Sequence, residues 1–135
     1  MITLLFFWGM AAPAVAGDLL VQIDGIKSQG GKIICRLFTS KSKFPRSGEL
    51  KTVTTIIGKS ATSCFFKNIP GGTYAVAIAH DKNANSKLDT NFLGIPSEGY
   101  GFSNNVRPRF SAPRFKQAAF NLAADKVTLR IKVIY

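Results

Sequence analysis

The chain has 135 residues, with 18 Lys and Arg against 7 Asp and Glu, one His and two Cys. Its length fits one modest domain with a genuine core. The net charge of +11 reads first as a solvated basic surface, with anionic partners as the alternative, and phosphate-loop, zinc and nucleotide-binding fingerprints are all absent.

Residues 2–10 are apolar apart from Thr3 and Gly9, and Ala14-Val15-Ala16 matches an export cleavage signal. No Lys or Arg precedes this run, and it is too short to span a membrane. No other long apolar run follows, so no transmembrane span is expected. The expected organisation is a signal peptide over 1–16 and one domain over 17–135, exported to the periplasm or beyond. No Cys sits at the cleavage point to carry a lipid.

The remainder reads as short strands between turn residues. Asp18–Asp24 ends at Gly25. Lys32–Thr39 follows the Gly30-Gly31 turn and is rich in β-branched and aromatic residues. After a basic loop come Leu50–Ile57 and Ala61–Lys67, then the turn Pro70-Gly71-Gly72. Thr73–His80 alternates, with Tyr74, Val76 and Ile78 on one face and Ala75, Ala77 and Ala79 on the other. The small face implies close packing against a further layer. Residues 81–115 lack sustained periodicity, and so long a connection in a compact domain is commonly functional or flexible. Lys116–Leu122 and Lys126–Ile134 complete the expected strands, and no helix is predicted. The expected class is all-β: a small β-sandwich of about seven strands with one long loop. The strands are too short and too few for an outer-membrane barrel.

Cys35 and Cys64, in an oxidising compartment, are expected to form one structural disulfide. Two separate buried thiols are the alternative. The charge is uneven: residues 27–67 carry nine Lys or Arg and one acid, Glu49, and residues 107–135 carry seven and one acid, Asp125. Between these basic regions lies a nearly neutral segment.

That segment holds the candidate chemistry. Asp81, Asn83, Asn85 and Asp89 fall at positions 1, 3, 5 and 9 of a loop counted from Asp81, with Lys87 at the position that supplies a backbone carbonyl. This is the spacing of a hard-cation loop, and calcium is the candidate ion. Ser86 stands where such loops place Gly, and Phe92 where they place a bidentate Glu. The competing reading is an Asx-rich turn closed by its own backbone. Further on, Glu98, Tyr100, Phe102 and Asn104 combine aromatic faces with polar groups that suit a sugar or peptide. More often such aromatics fold back onto the body and anchor the loop. No catalytic constellation is present: His80 is the sole histidine, and Asp81 falls on the opposite strand face. Aromatics in the basic segments, Phe38, Phe44, Phe65 and Phe66, read as core, so nucleic acid is not an expected partner.

The runs Gly-Thr-Tyr-Ala-Val at 72–76, His-Asp-Lys-Asn-Ala-Asn at 80–85 and Glu-Gly-Tyr-Gly-Phe-Ser-Asn at 98–104 resemble an uncharacterised bacterial family, domain of unknown function 2141. The likeness covers essentially all of 17–135. It implies an exported sandwich of transthyretin-like or immunoglobulin-like build and supplies no activity. The expected function is therefore a non-enzymatic exported module whose 81–105 loop binds or displays, with calcium as its candidate stabiliser. The alternative is a basic binder of envelope polyanions such as lipopolysaccharide or acidic polysaccharide, and a hydrolase using His80 comes third.

Overall fold

The computed structural model describes residues 9, 15–86, 98–123 and 125–135. The expected signal peptide lies almost wholly outside them. Among the described residues eight strands form two packed sheets, in line with the expected all-β class: β1 (Ala16–Asp24), β2 (Lys32–Thr39), β3 (Lys51–Ile56), β4 (Thr62–Pro70), β5 (Gly72–Asp81), β6 (Tyr100–Phe102), β7 (Phe120–Leu122) and β8 (Asp125–Lys132). The smaller sheet runs β4-β1-β8, with β1 antiparallel to β4 and parallel to β8. The larger runs β3-β2-β5-β6, and β7 pairs the other end of the β5 edge. Tyr100 and Ile134 exchange both backbone hydrogen bonds, at 3.0 and 2.7 Å, and so stitch the two sheets along one side.

Alternation places the core. Leu19, Val21 and Ile23 from β1 face Ile33, Cys35 and Leu37 from β2 and Tyr74, Val76 and Ile78 from β5. Cys35 and Cys64 are bonded across this core, joining the β2 sheet to the β4 sheet. A bridge closing 29 residues contributes roughly 3.5 kcal/mol in chain-entropy terms.

The alanine face of β5 is covered as its small side chains require. Ala75 and Ala77 lie under Phe44, Phe102, Phe115 and Ala118. Phe44 meets the rings of Phe38, Phe102 and Phe115 edge-on at 5.2, 5.9 and 6.2 Å. The larger sheet thus has an apolar layer on both faces. Phe65, expected in the core, points outward at 46% exposure, because it alternates with the buried Cys64 and Phe66.

Two sequence expectations are corrected. Lys116–Leu122 is not one strand: Phe115–Ala118 makes a single helical turn, α1, and only Phe120–Leu122 is extended. Lys116, Gln117 and Ala118 are good helix formers, while Phe120–Leu122 pairs with Gly72–Tyr74. The 81–115 stretch also contains a strand, β6, paired with Ala77–Ala79. Its glycines hid it, since Gly weakens β propensity.

Candidate functional site

The Asx run begins at the buried end of β5. Asp81 is fully buried, and its carboxylate accepts the backbone N–H groups of Asn85 at 3.0 Å and Ser86 at 2.6 Å. Asn83 Oδ1 accepts from Asn85 N at 3.3 Å. The turn is tight: Ala84 and Ser86 take φ of 55° and 65°. Lys32 Nζ donates to Ser86 Oγ at 2.9 Å and stands 3.9 Å from Asp81 Oδ2, so an ammonium supplies the positive charge at the mouth of the turn. Among the described residues no three His, Cys, Asp or Glu side chains come together as a metal group. Of the proposed calcium set, Asp81, Asn83 and Asn85 are brought together, while Lys87 and Asp89 lie outside the described residues.

The 98–105 run is woven into the body. Glu98 Oε2 accepts the backbone N–H of Lys82 at 2.6 Å, tying the two segments together. Gly99 and Gly101 face inward because nothing larger fits. A Cβ on Gly99 would lie 2.6 Å from Val133 and Tyr135 atoms, and one on Gly101 would lie 2.9 Å from Ile131 and the Lys132 carbonyl. Tyr100 and Phe102 therefore face outward over Ala79 and Ala77.

Ser103 is buried. Its hydroxyl accepts from Val76 N at 2.9 Å and donates to the Ala118 carbonyl. Asn104 donates to the carbonyls of Gln117 and Ala119 at 3.1 and 2.9 Å, holding α1. Asn105 accepts from Lys132 N at 2.9 Å and donates to the Arg130 carbonyl at 3.2 Å, continuing the β8 edge with its side chain. Both asparagines have positive φ, 60° and 51°, which Asn tolerates better than other non-glycine residues.

Of the proposed ligand set, Tyr100 and Phe102 come together with Ile34, Arg36, Pro45 and Ala77 around an outer-face cavity of about 90 Å³. Ligand pockets commonly run from about 300 Å³ upward, so this space suits a group of a few atoms. Glu98 and Asn104 do not line it.

His80 is 1% exposed, between the sheets. Its Nε2 lies 2.7 Å from the Gly30 carbonyl, which can only accept, so Nε2 carries the proton. In the neutral ring Nδ1 then accepts from the Tyr135 hydroxyl at 2.8 Å, and that oxygen in turn accepts from Lys27 N at 3.1 Å. Burial raises the pKa of the Tyr74 hydroxyl above its usual 10.0, and this hydroxyl donates to the Pro70 carbonyl.

One exposed region was missed as a unit. Residues 106–117 read VRPRFSAPRFKQ, and their charge was counted only as part of a longer basic segment. The available signal was Arg-Phe repeated at 109–110 and 114–115 between prolines. Sequence alone does not reveal that Phe115 packs inward while Phe110 is fully exposed.

Together these features define a small two-sheet sandwich, cross-linked once, whose polar motifs at 81–86 and 98–105 serve its own backbone. The chain belongs to the bacterial family described as uncharacterised protein conserved in bacteria, domain of unknown function 2141, whose model matches residues 21–130. No curated protein and no solved structure matches the chain. Among the described residues no helix is long and apolar enough to cross a membrane.

Proposed function

We propose that the protein is an exported, non-enzymatic binding module that docks on anionic polymers of the cell envelope, lipopolysaccharide or acidic polysaccharide. One observation carries this reading. Among the described residues only Lys32, Arg36 and Arg130 stand within 4.0 Å of a carboxylate, although the sequence carries a net charge of +11. Unpaired surface cations attract polyanions over a Debye length, about 8 Å at physiological ionic strength. The non-enzymatic reading is supported by His80, whose two ring nitrogens are both engaged inside the fold. On immobilised heparin or lipopolysaccharide the protein should be retained at low salt and released as salt rises. Absence of retention, or retention indifferent to salt, removes the proposal.

A second reading is weak calcium binding by the 81–89 turn. It is favoured by Ser86, whose φ of 65° falls at the sixth loop position, where calcium loops need the sharp turn of a Gly. Two carboxylates, one already facing Lys32, imply affinity on the order of 10⁻⁴–10⁻³ M. Millimolar calcium should then raise the melting temperature and a chelator reverse it; an unmoved melting curve ends this reading.

A further inference from the structure

The 106–117 segment is anchored at both ends and most exposed over 107–112. On one side Asn105 is bonded to the β8 backbone, and on the other Ser103 and Asn104 hold the carbonyls of 117–119. Phe115 and Ala118 are packed into the outer apolar layer. Between these anchors the chain arches around a cavity of about 430 Å³ lined by residues of the arch itself. Pro108 and Pro113 restrict its backbone. At its crest Phe110 is fully exposed, and Arg107, Arg109, Arg114 and Lys116 are exposed around it. None of the four comes within 4.0 Å of an acidic side chain among the described residues. No Asp or Glu occurs anywhere between residues 99 and 124.

Cations alone would serve a soluble polyanion, and a lone exposed ring alone would need no explanation. The combination on one anchored arch fits a bilayer surface. There an aromatic ring gains by entering the boundary between head groups and acyl chains, while guanidinium groups bind phosphates bidentately. We propose that residues 107–116 form a peripheral docking site for an anionic phospholipid surface, with Phe110 entering the head-group layer and Arg107, Arg109, Arg114 and Lys116 contacting the phosphates. This rests on the reading that the basic surface binds envelope polyanions, and adds an anionic bilayer to the surfaces it meets.

The test is co-sedimentation of the protein, in the form its host leaves it, with vesicles of phosphatidylcholine mixed with phosphatidylglycerol and with vesicles of phosphatidylcholine alone. The protein should bind the mixed vesicles and not the zwitterionic ones. Phe110→Ser should weaken binding about tenfold. The triple change Arg107→Gln, Arg109→Gln, Arg114→Gln should weaken it about a hundredfold. Phe110→Ser should still elute from heparin with the native protein, because its charge is unchanged. Native-like vesicle binding by Phe110→Ser overturns the proposal, as does equal binding to both vesicle types. So does a change in oligomeric state in place of a change in vesicle binding, which would make Phe110 a contact between copies of the chain. Heparin retention without vesicle binding overturns this inference alone, whereas loss of both also removes the reading on which it rests.

Discussion

Residues 98–105 and 106–117 are neighbours in the chain, yet the fold treats them oppositely. In the first, Glu98, Ser103, Asn104 and Asn105 are all bonded to backbone atoms of other segments, and Gly99 and Gly101 admit residues 131–135 at close range. In the second, four cations and one aromatic ring face outward, and none of the four cations meets an acidic side chain among the described residues. The first looks more like a site in the sequence and is the more structural. A dense, varied motif records many simultaneous demands on a chain, and in a small sandwich most of those are internal hydrogen bonds and contacts. Groups able to meet a partner are those the fold leaves unused.

This contrast predicts where substitution hurts. Gly101→Val should do the most damage, because its first added carbon already overlaps Ile131 and the Lys132 carbonyl. A cost of about 3 kcal/mol is expected, read as a fall in the midpoint of chemical denaturation. A variant as stable as the native protein would mean that β6 and β8 do not approach as described.

Ser103→Ala tests the same region through its polar groups. It leaves the Val76 N–H and the Ala118 carbonyl without their buried partner. A loss of about 2 kcal/mol is expected, with α1 released before the sheets melt and hydrogen exchange at Gln117 and Ala118 accelerated. Unchanged exchange there would make Ser103 a bystander.

The sheets and their inner faces were legible because alternation and turn residues report directly on burial. Lys32–Thr39 and Thr73–His80 were recovered almost to the residue. The disulfide was foreseeable from two cysteines in strand-like, core-like flanks. What stayed hidden depended on distant partners. Nothing local to Tyr100–Phe102 says that its glycines admit Ile131 and Val133, and nothing local to Asn105 says that it extends the β8 edge. For the Asx run, the turn-closing bonds at Asp81 were foreseeable from spacing, while the ammonium of Lys32, on the neighbouring strand and distant in sequence, was not.

Tyr74, outside both regions, gives a smaller effect with a pH signature. Its hydroxyl is protonated when it donates to Pro70, and burial raises its pKa above 10.0. The folded state therefore holds this proton more tightly than the unfolded chain. The associated stability is complete below pH 10 and is lost as pH climbs through the raised value. Tyr74→Phe should cost about 1 kcal/mol at neutral pH and should lose less than the native protein between neutral and strongly alkaline solution. Parallel alkaline profiles for the two proteins would separate Tyr74 from the effect.

The smallest stability change should come from the arch. Replacing Arg107, Arg109 and Phe110 together by Gln, Gln and Ser removes no hydrogen bond or ion pair among the described residues, and exposed positions of this kind shift stability within about 0.5 kcal/mol each. The sign should even favour the variant slightly, since two charges leave a surface with a net +11 that repels itself. Added salt should accordingly narrow the difference by stabilising the native protein more. A marked loss of melting temperature would show that the arch is packed like the 98–105 run beside it, and the distinction between the two regions would then fail.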